Sequence, residues 1–246
     1  MLTWPPSTSS SRRSKSSGCK RRAGWGWRLL LLTLTTVLLP DPAVAAVGLD
    51  EAVGRLEAAY RRVVDLRAVF EQAAFNRTLG RTVDARGTLY LKKPGKLRWE
   101  YLTPTPQEIV SDGAKLWVHT PQLKQVNVSP APQALTGPAG SFLQGLGQVR
   151  EHFHVRFLNP AQPTDADGLV LLDLTPKRPE PLLARLILAV DPGTWLVRKA
   201  VVYDELGNTV TVRFLEVAVN PGLGDALFVF TPPPGVAVVP TPGARP

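Results

Sequence analysis

Short alternating segments make up most of this chain and constrain its fold more than any other feature. From residue 66 onward, apolar residues recur at every second position in segments separated by proline, glycine, asparagine and aspartate. Four segments alternate cleanly, at 97–101, 153–157, 170–174 and 209–214. A period of two, with one apolar and one mostly polar face, is typical of antiparallel strands that are buried on one side.

Further segments extend this predicted sheet to about ten strands. They lie at 66–75, 82–91, 107–111, 115–119, 124–128, 183–190 and 195–203. Because neighbouring strands twist relative to one another, a sheet of this size is expected to curl. The proline-rich segment from Thr231 is predicted to be an edge segment that runs into a disordered tail at 237–246.

One amphipathic helix precedes the sheet, and a weaker one interrupts it. Between Asp50 and Val64, apolar residues repeat at helical spacing and Asp50 is the predicted N-cap. A second helix is predicted between Thr136 and Val149, where Pro138 suits a first turn and four glycines weaken the helix. The two helices are expected to lie across the concave, apolar face of the sheet.

The first 45 residues have the composition of an export signal. Residues 2–28 carry seven basic and no acidic side chains, Leu29–Leu39 is an apolar run, and residues 43–45 form a small-x-small cleavage site. The apolar run is shorter than the roughly 20 residues that span a bilayer. We therefore predict a signal peptide at 1–45 and an exported protein, with an uncleaved N-terminal anchor as the alternative.

Charge and cysteine content exclude several classes of function. Much of the net charge of +9 lies in residues 1–45, and without them the chain keeps 22 basic and 19 acidic residues. The basic composition therefore does not indicate nucleic-acid binding. The only cysteine, Cys19, lies ahead of the apolar run, so the mature chain is predicted to lack disulfides, thiolate nucleophiles and the lipidated cysteine of a lipoprotein.

Enzyme and metal-site motifs are weak in this sequence. His152 and His154 have a spacing found in some metal sites, but a solvated strand face explains them and the neighbouring Arg156 would repel a cation. Asp165 and Asp167 lie in a Pro/Gly loop, where a turn explains them. We find no nucleophile motif and no phosphate-binding glycine loop, and we predict no catalytic residue, no metal and no cofactor.

A lysine stands at the rim of the predicted apolar face. If Leu89 and Leu91 face the core, strand parity places Lys93 on the same face at the end of the strand. Two interpretations remain open. Lys93 belongs to a solvated turn with Lys92 and Lys96, or it is a polar latch that donates hydrogen bonds to the carbonyls of a covering helix.

Five segments, in order, resemble the motifs of one known family. They are AVFEQ at 68–72, GTLYLKKPGKLRWEY at 87–101, IVSDGAKLW at 109–117, LTPK at 174–177 and FVFTPPPGV at 228–236. Together they are similar to LolA, the periplasmic outer-membrane lipoprotein carrier, over nearly the whole mature chain. The resemblance implies a mainly β fold in which a strongly curved antiparallel sheet, an incomplete barrel, is lidded by helices over a hydrophobic cavity.

The resemblance also implies a function. The carrier domain, at 46–236, would take the acyl chains of lipoproteins released by an inner-membrane ABC transporter. It would deliver these lipoproteins across the periplasm to an outer-membrane acceptor, as a monomer without enzyme activity. The predicted cavity residues are Phe70, Leu89, Leu91, Leu97, Trp99, Tyr101, Phe142, Leu146, Val155, Phe157, Val212 and Phe214.

Two positions carry family roles by resemblance. Lys93 takes the place of the basic residue that holds the lid, and Leu97 the place of an aromatic residue that bears on the transporter. The best-studied pattern has arginine and phenylalanine there, whereas this chain has lysine and leucine. Lysine lacks the planar, multi-donor geometry of arginine, so the resemblance implies a weaker latch.

Three other functions share part of this pattern. The outer-membrane acceptor has the same fold but needs a lipidated cysteine after the apolar run. The main alternative is a periplasmic regulatory protein of the same fold that senses mislocalised lipoproteins. Such sensors append a second domain, for which the residues after position 45 leave little room. An exported lipid-modifying enzyme would need a polar cluster inside the cavity.

Overall fold

Twelve strands form one sheet in the described part of the chain. The computed structural model describes residues 47–131, 146–180 and 182–240. The strands are β1 (Asp65–Asn76), β2 (Arg81–Lys92), β3 (Lys96–Thr103), β4 (Gln107–Asp112), β5 (Lys115–Thr120), β6 (Gln125–Pro130), β7 (Phe153–Phe157), β8 (Val170–Pro176), β9 (Arg185–Val190), β10 (Val197–Tyr203), β11 (Thr209–Val219) and β12 (Ala237–Pro240). All the predicted strands form, which confirms a mainly β fold.

Strands that are distant in the chain are neighbours at two places in the sheet, one at its centre and one at its edge, where β12 pairs with β6. The sheet order is β12-β6-β5-β4-β3-β2-β1-β11-β10-β9-β8-β7. Strand β1 therefore pairs with β2 on one side and with β11, far along the chain, on the other. A register shift between Ala68 and Phe70 interrupts the β1–β11 ladder, and irregularities of this kind bend a strand and increase its twist.

Two predicted strands begin later than expected. Strands β9 and β10 start at Arg185 and Val197 instead of residues 183 and 195. Trp195 has a positive φ of 58°, and its backbone N–H donates to the Asp191 carbonyl oxygen at 2.7 Å. These residues form the turn between the strands, so the apolar side chain of Trp195 reaches the core from a turn.

The first helix confirms the periodicity and corrects its cap. Helix α1 spans Leu49–Arg62, and its N-cap is Gly48 rather than Asp50. The Gly48 carbonyl oxygen already accepts a hydrogen bond from the Ala52 N–H at 2.9 Å. Asp50 lies in the first turn instead, where a negative charge is favoured by the helix dipole.

Only the end of the second predicted helix lies within the described residues. Residues 132–145 lie outside them, and 146–148 form a turn that leads into a short helix, α2 (Val149–His152). Two short 3₁₀ helices lie at Pro121–Leu123 and Asp225–Phe228. Within the described ranges, every helix falls short of the length and apolar character that crossing a bilayer requires. The predicted signal peptide at 1–45 lies outside the described residues.

The C-terminal segment corrects the predicted disordered tail. Residues 237–240 form β12, which pairs in parallel with β6 at the edge of the sheet. The Ala237 N–H donates to the Lys124 carbonyl oxygen at 2.9 Å, and Pro240, which has no N–H, ends the strand. An edge position tolerates proline because one side of the strand needs no partner. The edge prediction is confirmed, whereas disorder from residue 237 is wrong; residues 241–246 lie outside the described ranges.

A buried carboxylate lies on the convex face of the sheet. Asp173 on β8 is 1% exposed and accepts hydrogen bonds from Arg156 Nε at 2.9 Å and Arg185 Nε at 2.7 Å. Burial alone would raise the pKa of Asp173, but hydrogen bonds from the two arginines outweigh it and hold the pKa below its ordinary value. The cluster ties β7, β8 and β9 together.

Replacing Asp173 with asparagine is expected to lower the free energy of unfolding at pH 7 by about 1–2 kcal/mol. The loss is moderate because the side chains of Arg156 and Arg185 remain 72% and 39% exposed and can hydrate. A depressed folded-state pKa stabilises the fold above the unfolded pKa of about 4, and this contribution is lost as the pH falls through the folded pKa. The difference from wild type should therefore shrink below about pH 4.

Urea unfolding of both proteins at pH 7 and pH 3 measures this effect. Asp167→Asn, a matched change in an exposed loop, should stay within about 0.5 kcal/mol of wild type at both values. A destabilisation by Asp173→Asn that is equal at pH 7 and pH 3 would contradict a role for the charge.

Candidate functional site

The concave face of the sheet is a continuous apolar surface covered by helix α1. Helix residues Ala52, Val53, Leu56 and Tyr60 belong to the same buried cluster as the inward side chains of the strands. In the centre, Phe70 on β1 lies between Gly87 on β2 and Phe214 on β11. The helix thus covers the junction of the two halves of the sheet.

The structure brings eleven of the twelve predicted cavity residues together. Seven are buried, namely Phe70, Leu89, Leu97, Trp99, Leu146, Val212 and Phe214, and four are half-buried against them, namely Leu91, Tyr101, Val155 and Phe157. The twelfth, Phe142, lies outside the described residues. Ten of the twelve lie on predicted strands, where every second residue points to the same face, and Phe142 and Leu146 come from the predicted second helix.

Three aromatic rings form the floor of this surface. The Phe70 ring meets the Trp99 ring edge-on at 5.0 Å between centroids and the Tyr101 ring at 5.3 Å. The Trp99 and Tyr101 rings stack at 6.2 Å. The Tyr101 hydroxyl donates to Gln72 Oε1 at 3.1 Å, and burial raises the pKa of Tyr101 to about 12. The hydroxyl therefore stays a neutral donor.

Lys93 connects the sheet to the end of the helix. Its Nζ donates a hydrogen bond to the Tyr60 carbonyl oxygen at 2.6 Å, in the last turn of α1, where this oxygen also accepts the Val63 N–H at 3.3 Å. Burial lowers the pKa of Lys93. Lys92 and Lys96 instead reach Asp225 at 2.6 and 3.0 Å. This hydrogen bond is the contact that the latch interpretation predicts, and Lys93 forms it from the exposed turn after β2, whereas Lys92 and Lys96 are half-buried.

Tyr60 holds the same helix end to the other half of the sheet. Its hydroxyl oxygen accepts a hydrogen bond from the Val197 N–H on β10 at 3.1 Å, and burial raises its pKa to about 12. Its carbonyl is the acceptor for Lys93. The sequence placed Tyr60 on the apolar face of the helix, but only the fold shows that it joins β10 to the latch.

A buried glutamate ties α1 to α2. Glu57 carries a charge and lies outside the apolar repeat of α1, but it is only 7% exposed. Its Oε1 accepts the Arg150 backbone N–H at 2.9 Å, and its Oε2 accepts Arg150 Nη1 at 3.2 Å. Helical spacing gave no sign of this contact, because the partner lies 93 residues away in the sequence.

A cavity of about 390 Å³ opens beside the latch. It lies between the end of α1 and the adjoining ends of β1 and β2, and its lining includes Tyr60, Val63, Leu66, Leu91, Lys93 and Gly147. The walls are mainly apolar, and four cationic residues, Arg61, Lys92, Lys93 and Lys96, also line the cavity. The cavity can take an apolar chain, and separation of α1 from the sheet would enlarge it.

The weak metal and acid–base candidates of the sequence are explained by local structure. His152 ends α2, and His154 lies on an exposed face of β7. Asp165 Oδ1 accepts the N–H groups of Asp167 and Leu169 at 3.0 and 2.9 Å, which confirms the predicted turn. In the described ranges, no three metal-ligating side chains come together.

Comparison with known proteins identifies the family. The family model described as outer membrane lipoprotein carrier protein LolA matches residues 61–231. This chain belongs to the LolA family. LolA carriers are periplasmic and non-enzymatic, so the family confirms the predicted location and the prediction that the protein is not an enzyme.

Individual relatives agree with the LolA assignment. The outer-membrane lipoprotein carrier protein of Dechloromonas aromatica (strain RCB) is 34% identical over 80% of this chain and 90% of its own length. That of Nitrosomonas europaea is 30% identical over 86% and 97%. A crystal structure of an uncharacterized conserved protein from Thermus thermophilus is 14% identical, with a TM-score of 0.51 over 78% of this chain and 98% of that one. This last likeness shows the fold alone.

Proposed function

We propose that this LolA protein binds the acyl chains of lipoproteins between helix α1 and the concave face of its sheet. Membership of the family makes the chain an outer-membrane lipoprotein carrier. The observation that carries the finer proposal is the continuous apolar surface under α1, with a cavity at its open end. The bound segment is therefore the lipid, and the protein part of the cargo stays outside.

The energetics of an acyl chain require such a surface. Each exposed methylene costs about 0.8 kcal/mol, so three chains of about 14 methylenes would cost on the order of 30 kcal/mol in water. A carrier must cover most of this area. The 390 Å³ cavity has the size that suits one drug-sized ligand, which is too small for three acyl chains. Loading therefore requires the helix to move away from the sheet.

The latch favours the closed position of helix α1. The Lys93–Tyr60 hydrogen bond stabilises the closed arrangement of α1 on the sheet, and an entering acyl chain breaks it. The return of α1 to the sheet then competes with the bound lipid for the concave face. The Lys93–Tyr60 hydrogen bond, which must break on loading, therefore assists release. A carrier needs this competition between helix closure and bound lipid because it must both bind and release its cargo.

We infer two partners from the family resemblance: an inner-membrane ABC transporter that supplies the lipoprotein and an outer-membrane acceptor that removes it. The position that the resemblance connects with the transporter is Leu97, which is 3% exposed on the concave face. In the closed protein a partner does not reach this side chain. Contact there requires the open form, which would restrict the interaction to a carrier that is ready to load.

The direct test is capture of a lipoprotein released from spheroplasts. The full chain is expressed, the exported protein is purified, and it is incubated with spheroplasts that release a radiolabelled lipoprotein. We expect the label in a water-soluble complex with this protein, and no complex with the same lipoprotein lacking its acyl chains. A failure to form the acylated complex, or equal capture of the unacylated form, would contradict acyl-chain binding.

A further inference from the structure

We propose that the Trp99 indole N–H is a recognition group for the carbonyl oxygen through which an acyl chain is attached. The inference rests on the proposed function and names the ligand chemistry of the same site. Trp99 is 2% exposed, and its Nε1 is buried without a hydrogen-bond acceptor among the described residues. An indole N–H is a donor only, and buried tryptophan usually finds a partner for it.

The surroundings of Trp99 keep this donor in place. The ring packs edge-on against Phe70 and stacks with Tyr101, and its cross-strand neighbours are Leu89 and Ile109. These contacts fix the ring on the concave face, so the indole N–H cannot turn toward water. A buried donor without an acceptor lowers the stability of the fold. Binding of a ligand that supplies the acceptor would compensate for this loss.

A second polar pair lies beside the indole. The Tyr101 hydroxyl and the Gln72 side chain join β3 to β1 at 3.1 Å, next to the ring that stacks on Trp99. Gln72 pairs across the sheet with Ala85 and Val212, and it also lines a pocket that contains charged residues such as Asp84 and Arg86. The concave face thus combines an apolar floor with a small set of polar atoms, which is the pattern of a ligand site.

The chemistry of the donor selects the ligand group. An unpaired, uncharged N–H in an apolar site requires an uncharged acceptor that arrives with a hydrocarbon chain. The carbonyl oxygen of an ester or amide of a fatty acid meets both requirements, whereas an alkyl ether offers a much weaker acceptor. The structure therefore assigns to Trp99 a preference for acyl-linked over alkyl-linked lipid.

The test compares two synthetic lipopeptides that differ only in ester or ether attachment of the same chains. We expect the wild-type protein to bind the ester form about fivefold more tightly, as one hydrogen bond between uncharged groups implies. In Trp99→Phe, which keeps an aromatic ring and removes the N–H, this ratio should fall to about one. Trp117→Phe, the same change near Phe230 on the other side of the sheet, should keep the wild-type ratio.

The result that overturns the inference is an ester preference that survives in Trp99→Phe or is lacking in the wild type. Weak binding of both lipopeptides by the wild type would instead overturn acyl-chain binding itself, so the two failures are distinguishable. Equal affinity for a free fatty acid and the ester would point to a carboxylate acceptor and also contradict the assignment. A purely structural Trp99 would change both affinities together and leave the ratio intact.

A second measurement uses the unsubstituted protein, in case Trp99→Phe folds poorly. The indole N–H resonance of Trp99, followed by NMR with ¹⁵N-labelled tryptophan, should move downfield on binding the ester form and stay near its free position with the ether form. Equal shifts with both ligands would overturn the proposal.

Discussion

Replacing Gly87 with alanine is expected to lower the free energy of unfolding by about 3 kcal/mol or more. A Cβ at this position would lie 1.8 Å from the Glu100 carbonyl oxygen and 2.7 Å from the Phe70 ring. The first clash is with backbone in the β2–β3 ladder, so it cannot be relieved by rotating a side chain. The second would push Phe70 out of the aromatic floor, and lipid binding should weaken along with stability.

A second glycine in the same protein provides the matched control. Gly54 lies in the middle of α1, and a Cβ there would meet the Arg150 guanidinium at an ordinary 3.7 Å. Gly54→Ala is therefore expected to stabilise the protein by about 0.5–1 kcal/mol. Urea unfolding of both variants gives opposite signs if the contacts at Gly87 are as described; wild-type stability of Gly87→Ala would contradict them.

Replacing Lys93 with leucine is expected to slow the release of bound lipoprotein by about tenfold or more. A hydrogen bond from a charged donor contributes about 1.5–3 kcal/mol, and here it stabilises only the closed arrangement, in which Lys93 Nζ reaches the Tyr60 carbonyl. Removing it leaves the loaded, open arrangement relatively more stable. The leucine side chain also extends the apolar surface at the rim, which acts in the same direction.

Transfer of labelled lipoprotein from the preloaded carrier to outer-membrane vesicles measures this effect. Lys93→Arg, which keeps a cationic donor, should release its cargo at a rate close to wild type. Lys115→Leu makes the same change at an exposed position on β5 and controls for added apolar surface. If Lys93→Leu transfers its cargo as fast as wild type, the hydrogen bond to Tyr60 does not act as a latch.

Much of the site followed from the sequence because the relevant information is local. A period of two fixes which residues of a strand share a face, so the strand residues of the apolar concave face could be named without knowing how the strands pair. Counting from Leu89 through Leu91 also placed Lys93 on the apolar side. Lys93 lies one residue beyond β2, in an exposed turn, and its Nζ reaches the last turn of α1 from there.

The errors lie where a distant contact overrides a local preference. The carboxylate of Glu57 is buried by Arg150. The proline-rich segment at 237–240 has the composition of a disordered tail but gains backbone partners from β6. In each case the contact is made with a residue that is distant in the sequence, and neither composition nor periodicity indicates such a contact.

The sequence by itself determined helix α1, most of the strands, the faces on which the strand side chains lie and the family, because each depends on short-range spacing or on ordered motifs. The tertiary structure decided the pairing of β1 with β11. It also decided the two hydrogen bonds that Tyr60 accepts, from Lys93 and from Val197. It also decided that the Trp99 N–H has no acceptor among the described residues. These features depend on which distant segments become neighbours, and a local period of two is the same for every possible order of strands.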